Sequence, residues 1–595
     1  MDDSLPDVPV SSLFSLQVAE TLTIRVSVEQ DGYKSPEIAT HSYLFVTDVI
    51  SSSVMNKEIT GDSRYISRMR KGLLDLPTFI VSVPEIPDDY IEREASLEIL
   101  WPDGADAIQL NCGFARYGGA WTNFAKKNYK LKFRKIYGPG KLRAPLFDGF
   151  DHGIPAVDEF DTLELRGGSH DMNARGFYMA PCFVEDSMLD MESLNPHGRF
   201  VHLYINSTYW GQFYLRERLD DNFLASYLKG GTQDYFNVRG NDNVGDRFIP
   251  GTPDPMHRHV WDDIRAMRSS YKDISAYVDV PNLIDFMLLW FYGNSETEYR
   301  CAGPVNPGPD FTTGFKFWIA DSDGFLRTGA MGRNRTSNDG PSDMFGMLVT
   351  EGEPDFMSLL ENRISMHLSP GGALSPESNT ARLAMRMAEI QDSLIAECAR
   401  WDYQTPDSWI AAAENIYNNL FSDRTSQLLG YLRARGWYTM LDPPGFNQAG
   451  GNVDYGFKLT MSANAGTIYY TLNGGDPRLE NGDVSPDAMI YTPSGSRETL
   501  IAPGSTWRYW DKGIFPADTW HTISFDDMQW PVGSAQLGYG DGDEATTISF
   551  GRNSQTKHLA YYFRRLFTVT DLPDIDSFDI ELVRDDGAVV YLNGA

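Results

Sequence analysis

Cysteine, basic side chains and long apolar runs are all scarce in this chain, and each scarcity closes off a class of protein. Only four cysteines occur in 595 residues, at 112, 182, 301 and 398. They form no CxxC pair and have no paired histidines, which argues against a structural zinc site. Lys and Arg total 51 against 82 Asp and Glu, for a formal net charge of -31 and an isoelectric point near 4.6. Binding to nucleic-acid phosphates needs clustered Lys and Arg, so no nucleic-acid partner is expected. No apolar run approaches the roughly 20 residues that span a bilayer, so no membrane span is expected. Met1 is followed by DDSLPDVPV, which lacks the basic and apolar regions of a secretory signal. At the other end VVYLNGA stops inside a strand-turn pattern, so we expect a fragment cut at both ends, with any signal upstream. Motifs are missing too: there is no GxxxxGK[ST], no HRD with DFG, no G-x-S-x-G and no HExxH, so neither a P-loop enzyme nor an ordinary protein kinase is supported.

What is present is foldable and long. Hydrophobic residues make up 42% and aromatics 13%, as expected of packed domains, and the length predicts three or more of them. The most informative stretch runs from Leu165 to Gly231, where Arg166, His170, Asp171, Arg175, Arg216, Glu217 and Arg218 interrupt a strongly apolar strand pattern. Residues 200–205 and 209–215 are rich in β-branched and aromatic side chains, and Asn206-Ser207 between them predicts a hairpin. Asp220 and Asp221 are N-cap candidates for a helix with Phe223, Leu224, Tyr227 and Leu228 on one face and Gly230 as its stop.

A second acidic element is FKFWIADSDGFLR, residues 315–327, in which an apolar strand delivers Asp321 and Asp323 to its end. Two carboxylates so placed can share a divalent ion, and Mg²⁺ is held by one or two carboxylates plus nucleotide phosphates. An EF-hand loop is excluded because Gly332 stands where its twelfth-position Glu belongs. Upstream, Tyr129, Leu131 and Phe133 alternate with Lys130, Lys132 and Arg134. This reads either as a half-exposed strand with a solvated basic face or as a phosphate-binding face. Residues 355–440 are helical in pattern, with one long amphipathic run from Asn379 to Trp401 and a further helix pair ending at a Gly stop. Pro, Gly and Asn concentrate around residue 443, which we take as a boundary. The text beyond it reads as all-β, with Trp507, Trp510, Trp520 and Trp530 able to stack sugars or fill a core.

The LRGGS-Asp element, the H-G-x-F-V-H-L-Y-x-N-x-x-Y-W-G strand pair and the E-R-x-D that follows resemble the spore coat protein H (CotH) kinase family. The resemblance implies a multidomain protein whose central α+β atypical kinase-like domain, residues 55–440, is flanked by all-β sandwich modules. Residues 1–50 resemble the end of a truncated fibronectin-like sandwich, 445–502 a chitobiase C-terminal-like segment, and 503–595 a truncated galactose-binding-like jelly roll. The implied function is transfer of the ATP γ-phosphate to Ser or Thr of a secreted or surface protein, with ATP and Mg²⁺ as cofactors and a secreted or cell-surface location. Lys127, Arg166 and Arg175 are then expected on the phosphates, Asp321 and Asp323 on the metal, and Asp171 and Glu296 in catalysis, with Glu217 fixing a Lys or Arg. Relatives commonly carry Asp where Glu296 stands, and a Lys in a P-K-K-S-like element where Ala125 precedes Lys126 and Lys127. The alternative is a catalytically silent surface or adhesion protein whose sandwich modules bind polysaccharide. A glycan-active enzyme, needing paired carboxylates about 5–10 Å apart, ranks last.

Overall fold

The structure is a computed structural model that describes residues 15–594, apart from 31, 35–37, 119–123, 151, 173–176, 242–257, 267–269, 294–297, 308–313, 320–321, 327–332, 439–443, 449, 452, 454, 464–465, 480–482, 492–498, 541, 570–579 and 586. The chain divides into two compact units, Met1–Ile468 and Tyr469–Ala595.

In the first unit, β1 (Leu22–Val26) and β2 (Ala39–Tyr43) pair as an antiparallel hairpin, followed by helix α1 (Ile66–Asp75). Seven strands then close into a barrel. They are β3 (Thr78–Ser82), β4 (Arg93–Leu100), β5 (Ile108–Tyr117), β6 (Asn128–Lys132), β7 (Thr162–Arg166), β8 (Gly198–Ile205) and β9 (Thr208–Glu217). The order around the barrel is β7-β9-β8-β3-β4-β5-β6, with only β3 and β8 parallel. Side chains alternate across each strand, so one parity fills the barrel. Leu97 and Ile99, Tyr129 and Leu131, Leu163 and Leu165, and Phe213 and Leu215 form that interior. The other parity of β7 and β9, namely Glu164, Arg166, Tyr214 and Arg216, therefore projects outward, and this puts the charged residues of the Leu165 stretch outside the barrel rather than in its core.

The hairpin of β8 and β9 turns through Asn206 and Ser207, at φ 49° and 65°. This is the left-handed pair that a two-residue turn matching the strand twist requires. Glu98 of β4 anchors the N-terminal hairpin by accepting the Ser42 amide at 2.7 Å. The basic strand β6 is neither solvated nor a phosphate face. Lys130 lies 3.4 Å from Glu164 and Lys132 donates to Glu92 at 2.7 Å, so carboxylates of neighbouring segments neutralise it.

Outside the barrel lie α2 (Ala180–Asp190), α3 (Asp221–Tyr227), capped by the Asp220 carboxylate, and the almost wholly buried α4 (Val280–Gly293). A three-stranded sheet of β10 (Tyr235–Asn241), β11 (Glu298–Pro304) and β12 (Lys316–Ile319) has β11 in the centre. Asn282 of α4 accepts the Phe317 amide at 2.6 Å, tying helix to strand. The run expected as one helix over 379–401 is two, α5 (Pro376–Ile390) and α6 (Ser393–Trp401). The break falls at Gln391-Asp392, where the Asp392 carboxylate takes Arg68 at 2.8 Å and Lys71 at 2.9 Å from α1. Helix α7 (Phe421–Ala434) ends before Gly436, whose φ of 73° supplies the expected stop. Arg424 of α7 donates to the Tyr292 carbonyl at 2.7 Å and to that of Phe291, satisfying the C-terminal carbonyls of α4.

The second unit has shorter strands. β13 (Thr506–Trp510) pairs antiparallel with β14 (Val532–Ser534) and β15 (Tyr562–Arg564) on its two sides. Trp530 is buried there, 5.6 Å from the Trp510 ring, and is core. Among the described residues no helix is long and apolar enough to cross a membrane, and all four cysteines are buried free thiols.

One buried group makes the first unit acid-sensitive. His202 on β8 has no exposure; its Nε2 lies 2.8 Å from the Gly72 carbonyl and its Nδ1 lies 3.1 Å from the Tyr209 hydroxyl. Burial pushes its pKa down to about 4. The unfolded chain therefore binds a proton that the native chain does not between about pH 6.5 and 4, and stability falls as pH drops through that window, by about 3 kcal/mol in full. We expect the urea midpoint to fall on acidification from pH 7 to 4 and His202→Asn to flatten that dependence.

Candidate active site

The site grows from the end of β7. Arg166 is its last residue, and the chain leaves through Gly167 and Gly168, the latter at φ 66°. A Cβ on Gly168 would lie 2.0 Å from the Tyr178 ring, so both the turn and the close approach require glycine here. Gly168→Ala is expected to cost about 2–4 kcal/mol, from left-handed strain plus overpacking against a buried ring, and urea unfolding measures it.

Beyond the turn, His170 and Asp171 face Asp323, which follows β12. Arg166 Nη2 stands between the two carboxylates, 3.6 Å from Asp171 Oδ2 and in direct ion-pair contact with Asp323 Oδ1. His170 Nδ1 is 3.5 Å from Asp323 Oδ2. Ligand atoms of His170, Asp171 and Asp323 all lie within 4.8 Å of one another. Asp171 is 1% exposed and His170 9%, which makes Coulombic terms here larger than at a surface. Beside them Arg166, Gly168, Asp171, Tyr178, Pro181, Cys182 and Tyr214 line a narrow crevice that is too tight to admit a water molecule. The Cys182 thiol donates to the Met179 carbonyl at 3.0 Å. Burial holds its pKa well above the usual thiol range, so it is not a nucleophile.

A polar ladder on the barrel's outer face stiffens this wall. Lys130, Glu164 and Arg216 are in register across β6, β7 and β9. Arg216 donates to Glu164 at 2.9 Å and to Glu185 of α2 at 2.5 Å, and the Tyr214 hydroxyl donates to Glu185 at 2.7 Å. Burial opposes ionisation of Glu164, yet Lys130 and Arg216 outweigh it and hold the carboxyl well below its ordinary range. Burial pushes the Glu185 carboxyl up, with Arg216 opposing.

The residues expected in the site separate into three groups. Arg166, Asp171 and Asp323 meet. Glu296, Arg175 and Asp321 lie outside the described residues. Lys127 and Glu217 go elsewhere: Lys127 Nζ is 3.7 Å from Asp88 Oδ1. Glu217 has the parity of Phe213 and Leu215, so it faces the barrel side and not the Arg166 side. Its carboxylate accepts from the His197 amide at 2.9 Å and the Tyr227 hydroxyl at 3.0 Å, in place of the Lys or Arg expected there.

The Lys-Glu pair exists with other members. Lys126 Nζ donates to Glu397 Oε1 and to the Gln212 carbonyl, both at 2.6 Å, and sits 4.5 Å from the Phe213 ring centroid. Glu397 Oε2 accepts the Gln212 amide at 2.8 Å. Burial pulls the Lys126 ammonium pKa down and pushes the Glu397 carboxyl up, with their mutual attraction opposing both shifts. Glu397 stands on α6, 271 positions away, and no local pattern announces it. His170 was visible only as one more polar residue in the Leu165 stretch.

A barrel wall ending in a guanidinium and faced by an imidazole and two carboxylates is an α+β arrangement that brings basic and acidic groups together. Residues 115–294 match the family model described as CotH kinase protein. The match includes Lys126, Arg166, His170 and Asp171, and Asp323 follows it. Among solved structures, one titled "Crystal structure of the golgi casein kinase" aligns with 60% of this chain and 73% of its own, at 8% identity and a TM-score of 0.22. No curated protein matches the chain.

Proposed function

We propose that this chain is an atypical kinase that transfers the ATP γ-phosphate to a Ser or Thr hydroxyl of a protein substrate. The observation that carries the reading is the convergence of Arg166, His170, Asp171 and Asp323, from segments 153 residues apart, into one cluster of charged groups. Phosphoryl transfer asks little covalent chemistry of a protein: it needs basic groups on the phosphates, a divalent cation to neutralise developing charge, and a carboxylate to orient the acceptor hydroxyl. The donor set fits a cation, since two carboxylates and an imidazole lie within 4.8 Å and hard or borderline divalent ions take such ligands. When bound, Mg²⁺ or a related cation supplies charge neutralisation on the β- and γ-phosphates. Asp323 would hold it, with Asp321 as the expected second carboxylate, and Arg166, with Arg175 as its expected partner, would contact phosphate oxygens. Asp171 or Glu296 accepts the hydroxyl proton of the acceptor. Incubating the full chain with γ-labelled ATP and surface or secreted proteins tests the reading: label on Ser or Thr of a substrate is expected, and no transfer under any divalent cation contradicts it.

A second reading draws on the C-terminal unit, where Phe515, Trp520, Tyr562 and Tyr591 form a ring cluster. Trp520 lies 5.0 Å from Tyr562 and 5.6 Å from Tyr591, and Phe515 and Tyr591 are exposed. Such rings stack sugars. This supports a secreted or cell-surface protein whose β-rich segments, assigned as sandwich modules at both ends, hold a polysaccharide. Retention on polysaccharide that Trp520→Ala abolishes is the matching test.

A further inference from the structure

The position of one nitrogen says more about the site than its ligand set alone. Arg166 Nη2 is 3.6 Å from Asp171 Oδ2 and in direct contact with Asp323 Oδ1, and His170 Nδ1 is 3.5 Å from Asp323 Oδ2. A guanidinium nitrogen that contacts one carboxylate and lies near a second supplies them with the positive charge that a cation would otherwise supply. First-row divalent ions with bonds of about 2.0–2.2 Å place their ligand atoms roughly 3–4.3 Å apart. The 4.8 Å spread among His170, Asp171 and Asp323 therefore needs only a small closure. Asp171 and His170 are nine-tenths buried or more, so the site is built into the fold rather than assembled from surface acids.

We infer that His170, Asp171 and Asp323 form a three-ligand divalent-cation site in which Arg166 engages the Asp323 carboxylate in this structure, so that cation binding and release of Arg166 toward a nucleotide phosphate are one exchange. The inference rests on the kinase reading above and goes beyond it in three ways. Asp171 becomes a cation ligand, which leaves Glu296 as the group for the acceptor proton. His170 becomes a ligand, and an imidazole ligand shifts preference from Mg²⁺ toward transition-series ions. Arg166, expected only as a phosphate contact, becomes the residue that couples the two binding events. Asp323 cannot be fully engaged by both the guanidinium and a cation, and whatever competes for it makes metal and nucleotide affinities reciprocal. No bond is made or broken in the exchange; Arg166 passes from one anion, the carboxylate, to another, the phosphate.

The test has two arms on the full chain. In the first, Mn²⁺ is titrated and followed by electron paramagnetic resonance. Wild type is expected to bind Mn²⁺ with nitrogen modulation from one imidazole. His170→Ala loses that modulation and weakens binding by at least about 10-fold, and Arg166→Met binds Mn²⁺ more tightly because the competing guanidinium is gone. In the second, ADP is titrated calorimetrically in a chelator. Asp323→Asn, which removes the carboxylate charge and keeps the shape, is expected to bind ADP about 5-fold or more tightly than wild type through the freed Arg166. Absence of nitrogen modulation in wild type, or weaker Mn²⁺ binding by a folded Arg166→Met, overturns the cation site. Unchanged or weaker ADP binding by Asp323→Asn overturns the exchange. Failure of ADP to bind any form removes the nucleotide reading, and the Mn²⁺ arm then decides the cation site by itself.

Discussion

Asp323→Asn is expected to lower ATP turnover by at least about 100-fold while leaving the circular dichroism spectrum unchanged. The size follows from the role: phosphoryl transfer is driven by preorganised charge around the transferring group, and removing one such charge in a water-poor site costs two to three orders of magnitude. Asp323 is the carboxylate common to Arg166 and His170, so its loss disturbs the cation ligands and the guanidinium together. Asp171→Asn is expected to behave similarly, because its carboxylate flanks the same nitrogen. Steady-state phosphate release over a range of divalent-cation concentrations measures both. Turnover within a few-fold of wild type in either variant would remove these carboxylates from the chemistry.

The second large effect is on folding. Lys126→Met is expected to destabilise the first unit by about 3–5 kcal/mol, because breaking a buried ion pair leaves the partner charge without compensation. Lys126 and Glu397 have side-chain exposures of 0% and 1%, so solvent cannot take the place of the missing ion. Met matches the length of the lysine stem and preserves packing against Phe213, which isolates the charge. The double variant Lys126→Met, Glu397→Leu is expected to recover much of that loss, since a buried pair replaced by apolar residues of similar size is often neutral. Urea unfolding of the two single variants and the double variant gives the coupling. Single-variant losses under about 0.5 kcal/mol would show that the pair holds neither α6 nor β9 in place.

Local features were legible in the sequence where local chemistry decides them. Asn206-Ser207 marked the hairpin because few residue pairs tolerate two left-handed φ values, and Asp220 marked the start of α3 because its carboxylate can accept the first amides. Strand alternation also gave Tyr129 and Leu131 to a core. Glu217 shows the same rule left unused: it follows Phe213 and Leu215 in parity, so its place on the barrel side and away from Arg166 was readable from the apolar pattern. Long-range pairings were not legible. Glu397 reaches Lys126 across 271 positions, and Asp323 reaches His170 across 153. Nothing in either neighbourhood distinguishes these carboxylates from solvated ones. The helix break at Gln391-Asp392 has the same origin, since Arg68 and Lys71 of a distant helix hold the Asp392 carboxylate. The element at Ala125 matches its relatives loosely at both Lys126 and Lys127; the resemblance puts Lys127 on the phosphates, whereas the buried lysine is its neighbour Lys126.

Calorimetric titration of ATP with a divalent cation into the full chain tests the central claim most directly. The kinase reading predicts saturable binding at one site per chain, weakened by Arg166→Met. No ATP binding in the presence of Mg²⁺ or Mn²⁺, together with retention of the same chain on polysaccharide, would contradict it and leave the domain a scaffold.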